Sequence, residues 1–200
     1  MPELPEVETT RRGIEPFLQN EVIESIEVRN GHLRWPVSDE IYAIESQKVY
    51  RILRRGKYII LELDAGAMLI HLGMSGSMRV VEADAELKKH DHVIFYLSCE
   101  RQIRFNDPRR FGSILWSNCW HEHELIKKLG PEPLSEEFNA NYLYGLAKKR
   151  KQAIKQFIMN SQVVVGVGNI YANEALFMAG INPSRAANNI SLKRMQIFVE

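Results

Sequence analysis

The sequence predicts an α+β protein that consists of a leading helix, a β-rich domain and a helical domain. Apolar residues recur at helical spacing near the N-terminus, alternate in short stretches from residue 21 to residue 116, and return to helical spacing after residue 135. A chain of 200 residues is long enough for two domains with real cores. We place the domains at residues 1–130 and 131–200, because the proline- and glycine-containing residues 129–135 are typical of a linker.

The N-terminal segment is predicted to be a helix from Pro5 to about Phe17. Proline is favoured at the first helical position, and acidic side chains are favoured in the first turn. The dipeptide Glu15-Pro16 is expected to end or kink this helix. Arg11 and Arg12 are expected to lie on its solvated face.

The β-rich domain is predicted from short stretches that alternate with a period of two and are separated by turn residues. Such a series is typical of a β-sandwich or a barrel. Residues 38–46 are predicted to form a short helix between strands, with Ser38 as its cap. The predicted strands are Val22–Arg29, Lys48–Arg54, Tyr58–Leu63, Met68–Leu72, Ser77–Val81, His92–Leu97, Gln102–Asn106 and Ser113–Trp116.

The second domain is predicted to be wholly helical, with a helix beginning near Ser135. One long helix is expected over Asn141–Asn160, a second over Ala172–Ala179 and a third over Ser191–Glu200. Because the third helix stops without a C-terminal cap, we expect the natural chain to continue past this point.

Composition argues against several classes of protein. The formal net charge is +1, so any nucleic-acid surface must come from local clusters of basic residues. Cys99 and Cys119 form no C-x-x-C pair, and we expect reduced thiols in a cytosolic protein. No apolar run approaches the roughly 20 residues of a membrane span. The start of the chain is acidic, unlike a signal peptide.

The first residues carry the most unusual chemistry. If Met1 is removed, Pro2 becomes a free secondary amine beside the carboxylate of Glu3. An α-amino group has a pKa of roughly 7.7–8, so part of it is neutral near neutral pH and can attack a carbon to form an iminium. While Met1 remains, the Pro2 nitrogen is an amide and cannot do so. Alternatively, the prolines only stiffen the start of a helix.

Two stretches in the β-rich domain suit either nucleic acid or the protein surface. Lys57 follows a basic cluster at residues 51–55, which is either an exposed charged hairpin or a phosphate contact. Met74 lies on a turn flanked by glycines and is either a core side chain or an apolar wedge that enters between bases.

A further turn, at residues 106–112, carries Arg109, Arg110 and Phe111. These residues either bind phosphate and stack on a base, or cover the surface with the phenylalanine folded under. The nearby pair His90 and His92 has a spacing that a metal could use, but no further ligand follows. We therefore expect no metal, and a phosphate contact by His90.

Basic residues and glycines recur in the helical domain. The basic run at residues 148–151, followed by Lys155, is either a solvated face or a DNA contact. Glycines at residues 166 and 168 precede a predicted helix, whose N–H groups can bind phosphate together with Asn169. The segment is not a nucleotide-binding loop, because it lacks the spacing of those motifs.

Taken together, these segments resemble the bacterial formamidopyrimidine-DNA glycosylases. The resemblance rests on residues 1–9, the Lys57 hairpin and residues 71–76, 107–112 and 165–171, and it extends over the whole chain. Leu4 favours this family over the related endonuclease VIII, which usually has glycine there. The resemblance implies an N-terminal β-sandwich, a helix–two-turn–helix domain and a zinc finger. It also implies base-excision repair of oxidised purines, such as 8-oxoguanine and formamidopyrimidines, with cleavage at abasic sites.

Carried over residue by residue, the resemblance implies four catalytic residues. Pro2 would be the nucleophile that forms a Schiff base at C1′ of the damaged nucleotide, and Glu3 the acid and base at the sugar. Glu6 would support the site by hydrogen bonding, and Lys57 would donate the proton tied to β-elimination. The residues implied in DNA binding are Met74, His90, Arg109, Arg110, Phe111, Arg150, Lys155 and Asn169.

The resemblance further implies a monomer in the bacterial cytoplasm, at the nucleoid, whose partner is double-stranded DNA with oxidised bases or abasic sites, with no membrane association. No cofactor is expected here, because the family's zinc finger and its cysteine pairs are absent from this sequence. If the chain ends at Glu200, we expect weak DNA binding and impaired strand cleavage. Two alternatives stay open: a truncated or Met1-retaining form that binds damaged DNA with little turnover, and an endonuclease VIII-like glycosylase for oxidised pyrimidines.

Overall fold

The computed structural model describes residues 2–200, so the expectation about Met1 concerns a residue outside the described range. The chain forms two compact units, Met1–Ile126 and Lys127–Glu200. Strands dominate the first unit and helices the second, which confirms the predicted α+β class.

The predicted strands are present within two residues of their expected ends, apart from Lys48–Arg54, which is split. The helices are α1 (Leu4–Leu18), α2 (Glu124–Lys127), α3 (Ala140–Ala147), α4 (Ile154–Ile158), α5 (Asn169–Met178) and α6 (Leu192–Val199), with 3-10 turns at Asp39–Ile44, Trp120–Glu122 and Ala187–Asn189. The strands are β1 (Val22–Val28), β2 (Gln47–Lys48), β3 (Arg51–Arg55), β4 (Tyr58–Leu63), β5 (Gly66–His71), β6 (Ser77–Glu82), β7 (Asp91–Leu97), β8 (Arg101–Asn106) and β9 (Ser113–Ser117).

The first unit is a sandwich of two antiparallel sheets, with strand orders β2-β1-β7-β8-β6 and β3-β4-β5-β9. Apolar side chains from both sheets and from α1 belong to one buried cluster, so the sheets pack face to face. The predicted strand Lys48–Arg54 is split because the chain changes sheets there. Lys48 pairs with Val22 in the first sheet, whereas Arg51 pairs with Glu62 in the second.

Two connections cross between the sheets at the same edge of the sandwich. Residues 72–76 lead from β5 to β6, and residues 107–112 lead back from β8 to β9. The register places His71 opposite Ser113 and Ser77 opposite Asn106. The two connections therefore run side by side.

The extent of α1 agrees with the predicted helix to within one residue at each end, but one expectation about its polar face was wrong. The helix continues past Pro16 to Leu18, whose side chain is buried in the sandwich core. Arg12 is exposed as expected, but Arg11 is not solvated: it pairs with Glu8 at 3.0 Å and donates to the carbonyl oxygen of Ile52 at 3.1 Å. Burial against the sandwich thus outweighs the local signal for a polar face.

The second unit has its own apolar core, formed by α3 to α6. The single helix predicted over Asn141–Asn160 was wrong, because it is broken into α3 and α4. In the interruption, the carbonyl oxygen of Arg150 accepts from Asn188 N–H at 3.0 Å, and Ala153 pairs with Ala186. These long-range bonds replace the helical ones.

The helix caps of this unit were predicted in part. Ser191 caps α6 as expected, accepting from Arg194 N–H at 3.4 Å. Ser135 does not begin a helix, because its hydroxyl donates to the carbonyl oxygen of Glu132 at 2.9 Å. Asn139 caps α3 instead. Among residues 2–200, no helix is both long and apolar enough to cross a bilayer.

Candidate functional site

The N-terminal end of α1 holds two of the predicted catalytic carboxylates. Glu3 is buried and caps the helix, and its N–H donates to Glu6 Oε2 at 2.8 Å. The Glu3 side chain accepts in return from the backbone of Glu6, which completes a capping box. Pro2 is thereby held next to the positive end of the helix dipole, which favours the neutral form of an amine at that position.

Lys57 lies on the two-residue turn between β3 and β4, where Gly56 adopts a φ of 56°. The side chain is half-buried rather than fully solvated. Burial lowers the pKa of Lys57 below its ordinary value, and the negative charges of Glu3 and Glu6 oppose that shift. The structure therefore brings Lys57 to two other predicted catalytic residues, Glu3 and Glu6, which lie more than fifty positions before it in the sequence.

His71 belongs to the same cluster, although it had no role among the sequence-based expectations. Its ring packs edge-on against Tyr58 with centroids 4.9 Å apart, and its Nδ1 accepts from Gly73 N–H at 2.9 Å. Burial and the positive charges of Arg34 and Lys57 lower the pKa of His71 to about 4. The imidazole is therefore neutral near pH 7, with its proton on Nε2 available to donate. Only the register that pairs Tyr58 with His71 could have identified it.

We expect His71 to make the free energy of unfolding depend on pH. The pKa of His71 is about 4 in the folded protein, below its ordinary value of 6.5, so the unfolded chain binds the proton more readily. Stability should fall as the pH is lowered from 6.5 towards 4. Urea midpoints of His71→Gln should fall less steeply in that window. Glu8 does not interfere above pH 4.5, because hydrogen bonding to Arg11 lowers its pKa to about 2 and its contribution to stability is lost only as the pH falls below 4.5. Identical slopes for wild type and variant would contradict the assignment.

The two turns with predicted DNA-inserting residues form one cluster at the sandwich edge. We call Met74, Arg109 and Phe111 the wedge. Arg109 Nη2 donates to the carbonyl oxygen of Met74 at 3.2 Å, and its guanidinium lies 5.8 Å from the Phe111 ring centroid. Met74 is 41% exposed and Phe111 49% exposed, so neither is a core side chain. Neighbouring Arg110 is also exposed and has a φ of 57°.

The two histidines whose spacing a metal could use differ in their surroundings. His92 is buried, and its Nε2 lies 2.8 Å from the carbonyl oxygen of Asp107. His90 precedes β7 and is only half-buried, with its ring centroid 5.9 Å from that of His92. Within the described part of the chain, no group of three or more His, Cys, Asp or Glu side chains could hold a metal ion.

The second unit carries the remaining predicted DNA contacts. Arg150 is exposed after α3, and Lys155 is half-buried in the first turn of α4. Asn169 is exposed at the first position of α5, after Gly166 with a φ of 80°. Asn160 accepts through its amide oxygen from the N–H of Gln162 at 2.9 Å. The N-terminus of a helix such as α5 suits a phosphate.

Two family models match the chain. The formamidopyrimidine-DNA glycosylase N-terminal domain matches residues 1–114, and the formamidopyrimidine-DNA glycosylase H2TH domain matches residues 129–200. The formamidopyrimidine-DNA glycosylase of Alcanivorax borkumensis is 56% identical over 200 residues, which is 100% of this chain and 74% of that protein.

Solved structures agree with this result. The complex of Lactococcus lactis Fpg with DNA containing an abasic site has a TM-score of 0.90 and 31% identity, covering 98% of this chain and 74% of the other. The complex of the same enzyme with DNA containing an oxidized pyrimidine has a TM-score of 0.91 and 32% identity, covering 99% and 76%. The expected helix–two-turn–helix domain is thus confirmed.

Proposed function

The chain belongs to the formamidopyrimidine-DNA glycosylase family, and from this we propose that it excises oxidised purines from duplex DNA through a covalent intermediate on Pro2. Enzymes of this family act in base-excision repair as DNA glycosylases that also cleave abasic sites. The observation that carries the proposal is the half-buried Lys57 facing Glu3 and Glu6, beside the N-terminal proline.

The first step is displacement of the damaged nucleotide from the helix. The sugar carbon C1′ cannot be reached in a stacked duplex, so the nucleotide must flip out at a cost of a few kcal/mol. Met74 and Phe111 are exposed apolar groups that can enter the vacated space. Arg109, which lies between them, can contact phosphate or the orphaned base.

The covalent steps follow from the positions of the N-terminal residues. Once freed of Met1, the Pro2 nitrogen attacks C1′, and the bond to the damaged base breaks. Glu3 donates a proton to the sugar ring oxygen as the ring opens. The Glu6 carboxylate keeps Glu3 in place by accepting from the backbone N–H of Glu3. The resulting iminium acidifies the hydrogens on C2′, so that loss of one proton expels the 3′ phosphate by β-elimination. Lys57 exchanges protons more readily than an ordinary lysine, because burial lowers its pKa.

DNA binding is proposed to depend on phosphate contacts from both units. His90 and Arg110 supply them from the sandwich, and Arg150 and Asn169 from the helical unit, whereas Lys155 is proposed to lie near the damaged base. Such contacts release counterions, so affinity should fall steeply with salt. The family's zinc lies in a C-terminal region outside the part of the relatives that this chain matches, and the steps above are assigned to protein side chains.

We expect the chain to form a borohydride-stable adduct with an 8-oxoguanine duplex and none with the undamaged duplex. Denaturing gels would detect the adduct, and intact mass would report whether Met1 has been removed. A duplex with an oxidised pyrimidine belongs in the same experiment, because the Lactococcus enzyme has been crystallised with such a lesion. Adducts confined to that lesion would favour the endonuclease VIII-like alternative. Damage-selective binding without any adduct would favour the form that lacks turnover.

A further inference from the structure

We propose that Ser75 and Asp107 are positioning residues: their hydrogen bond, which we call the clasp, joins the two connections that cross between the sheets. The three wedge side chains would then enter DNA as one unit. We call residues 72–76 and 107–112 the insertion loops. The inference rests on the proposed function, because a wedge acts only when a nucleotide leaves the stack. It assigns a role to two polar residues that neither the covalent steps nor the phosphate contacts use.

The centre of the clasp is the carboxylate of Asp107, which is 0% exposed. Its Oδ1 accepts from the Ser75 hydroxyl at 2.6 Å, and its Oδ2 accepts from Gly112 N–H at 2.8 Å. One side chain at the start of the second insertion loop therefore binds both the first loop and the far end of its own loop. Hydrogen bonds to a carboxylate are stronger than those between neutral groups.

Ser75 extends this link to the wedge. Its oxygen accepts from Arg109 N–H at 3.3 Å, while the Arg109 guanidinium donates to the carbonyl oxygen of Met74 at 3.2 Å. The Ser75 hydroxyl thus lies between a buried carboxylate and the backbone of a wedge residue. Without the Ser75 hydroxyl, Asp107 would lack one hydrogen-bond donor, and the loop that carries Met74 would lose its side-chain link to the second loop.

Close packing of the backbones supports the same conclusion. Gly73 has a φ of +63°, and a Cβ there would lie 2.4 Å from the backbone of Phe111 and Gly112. The backbone carbonyl oxygen of Asp107 also lies 2.8 Å from His92 Nε2, which anchors the clasp to a buried strand residue. The two insertion loops are therefore in direct contact. The clasp is expected to keep them in contact while the wedge enters the duplex.

A clasp of this kind has a functional consequence. Met74 and Phe111 project from different loops, so inserting them independently would require two separate loops to be fixed at the moment of binding. Holding them in one geometry beforehand removes that cost from the insertion step. The effect should therefore appear in wedge insertion rather than in general affinity for DNA.

The test is the rate of wedge insertion. A duplex with 2-aminopurine opposite a tetrahydrofuran abasic analogue reports insertion through its fluorescence. We expect Ser75→Ala to slow insertion about tenfold, which corresponds to the loss of one hydrogen bond to a charged group. Ser75→Thr keeps the hydroxyl and should recover the wild-type rate to within about twofold.

A double-mutant cycle separates positioning from simple stabilisation. In a Met74→Ala background the first loop no longer carries a large apolar side chain to insert. Adding Ser75→Ala to that background should therefore slow the remaining insertion by no more than about twofold. An equal loss in both backgrounds would overturn the proposal. A loss that Ser75→Thr does not recover, and that parallels a lower midpoint of thermal unfolding, would also overturn it.

Failure of the proposed chemistry can be told apart from failure of this inference. Insertion requires binding but no covalent step. A wild-type chain that inserts its wedge yet forms no borohydride adduct contradicts the Pro2 chemistry and leaves the clasp standing if Ser75→Ala inserts slowly. A wild-type chain that forms adducts, with Ser75→Ala inserting at an equal rate, contradicts the clasp alone. A wild-type chain that shows no insertion contradicts the clasp as well.

Discussion

Replacing Pro2 by glycine is expected to reduce the borohydride-trapped adduct by about a hundredfold. The variant loses the secondary amine, whose condensation with C1′ gives an iminium that is charged without needing a proton. It also loses the ring that restricts the backbone before the capping box of Glu3 and Glu6. The measurement is single-turnover trapping on an 8-oxoguanine duplex, with intact mass to show that Met1 is absent from both proteins.

The chain supplies a matched control three residues further on. Pro5 occupies the start of α1 and has no nucleophilic nitrogen, so Pro5→Ala removes a proline without changing the amine. Its adduct yield should stay within about twofold of wild type, because alanine is also accepted at that position. Equal losses in Pro2→Gly and Pro5→Ala would attribute the effect to fraying of α1 and contradict nucleophilic catalysis by Pro2.

Much of the fold could be predicted because the local signals and the tertiary structure agree. Strand β4 has the ends that alternation and turn residues indicate, and Gly56 marks the hairpin before it. The predictions were wrong where distant segments decide the outcome. Lys48–Arg54 changes sheets, and the predicted helix over Asn141–Asn160 gives way to bonds with residues 186–188.

In the candidate site, too, features that depend on local sequence could be predicted and features that depend on distant segments could not. Motifs identified the residue types at Pro2, Lys57 and Met74, because each depends on neighbours within a few positions. They could not show that Arg109 contacts a loop 35 residues away, since that contact depends on sheet register. His71 was missed because its neutral state results from burial and from charges on other segments.

The second large effect is expected at Asp91, where Asp91→Ala should lower the free energy of unfolding by about 3–5 kcal/mol. Asp91 is 1% exposed and Arg104 2% exposed. The Asp91 carboxylate accepts from Arg79 at 2.6 Å, from Asn106 at 2.8 Å and from Lys88 N–H at 3.0 Å. Arg104 Nη1 lies 3.5 Å from Asp91 Oδ2, so removing the carboxylate leaves the Arg104 charge buried without this anionic partner, and the other donors lose their acceptor. Urea denaturation near neutral pH measures the loss.

Two comparisons identify the cause of that loss. Asp91→Asn keeps the size of the side chain and one acceptor, so its cost should be intermediate. Glu82 pairs with Arg101 at 3.4 Å, but its side chain is 70% exposed. Glu82→Ala should therefore cost less than about 1 kcal/mol, as solvent screens such a pair. Similar losses for Asp91→Ala and Glu82→Ala would contradict a buried network.

We expect the same network to connect stability to DNA binding. Arg104 donates to the carbonyl oxygens of Ala85 at 2.6 Å and Glu86 at 2.8 Å, which fixes the segment that leads to His90. Substituting a residue that positions a phosphate contact should lower the affinity for DNA without changing which lesion is recognised. Asp91→Asn, measured where it is fully folded, is therefore expected to weaken binding to damaged and undamaged duplexes by the same factor. Its salt dependence should approach that of His90→Ala, with a slope smaller by about one phosphate contact than in wild type. An unchanged slope would show that the network stabilises the sandwich and leaves His90 in place by other means.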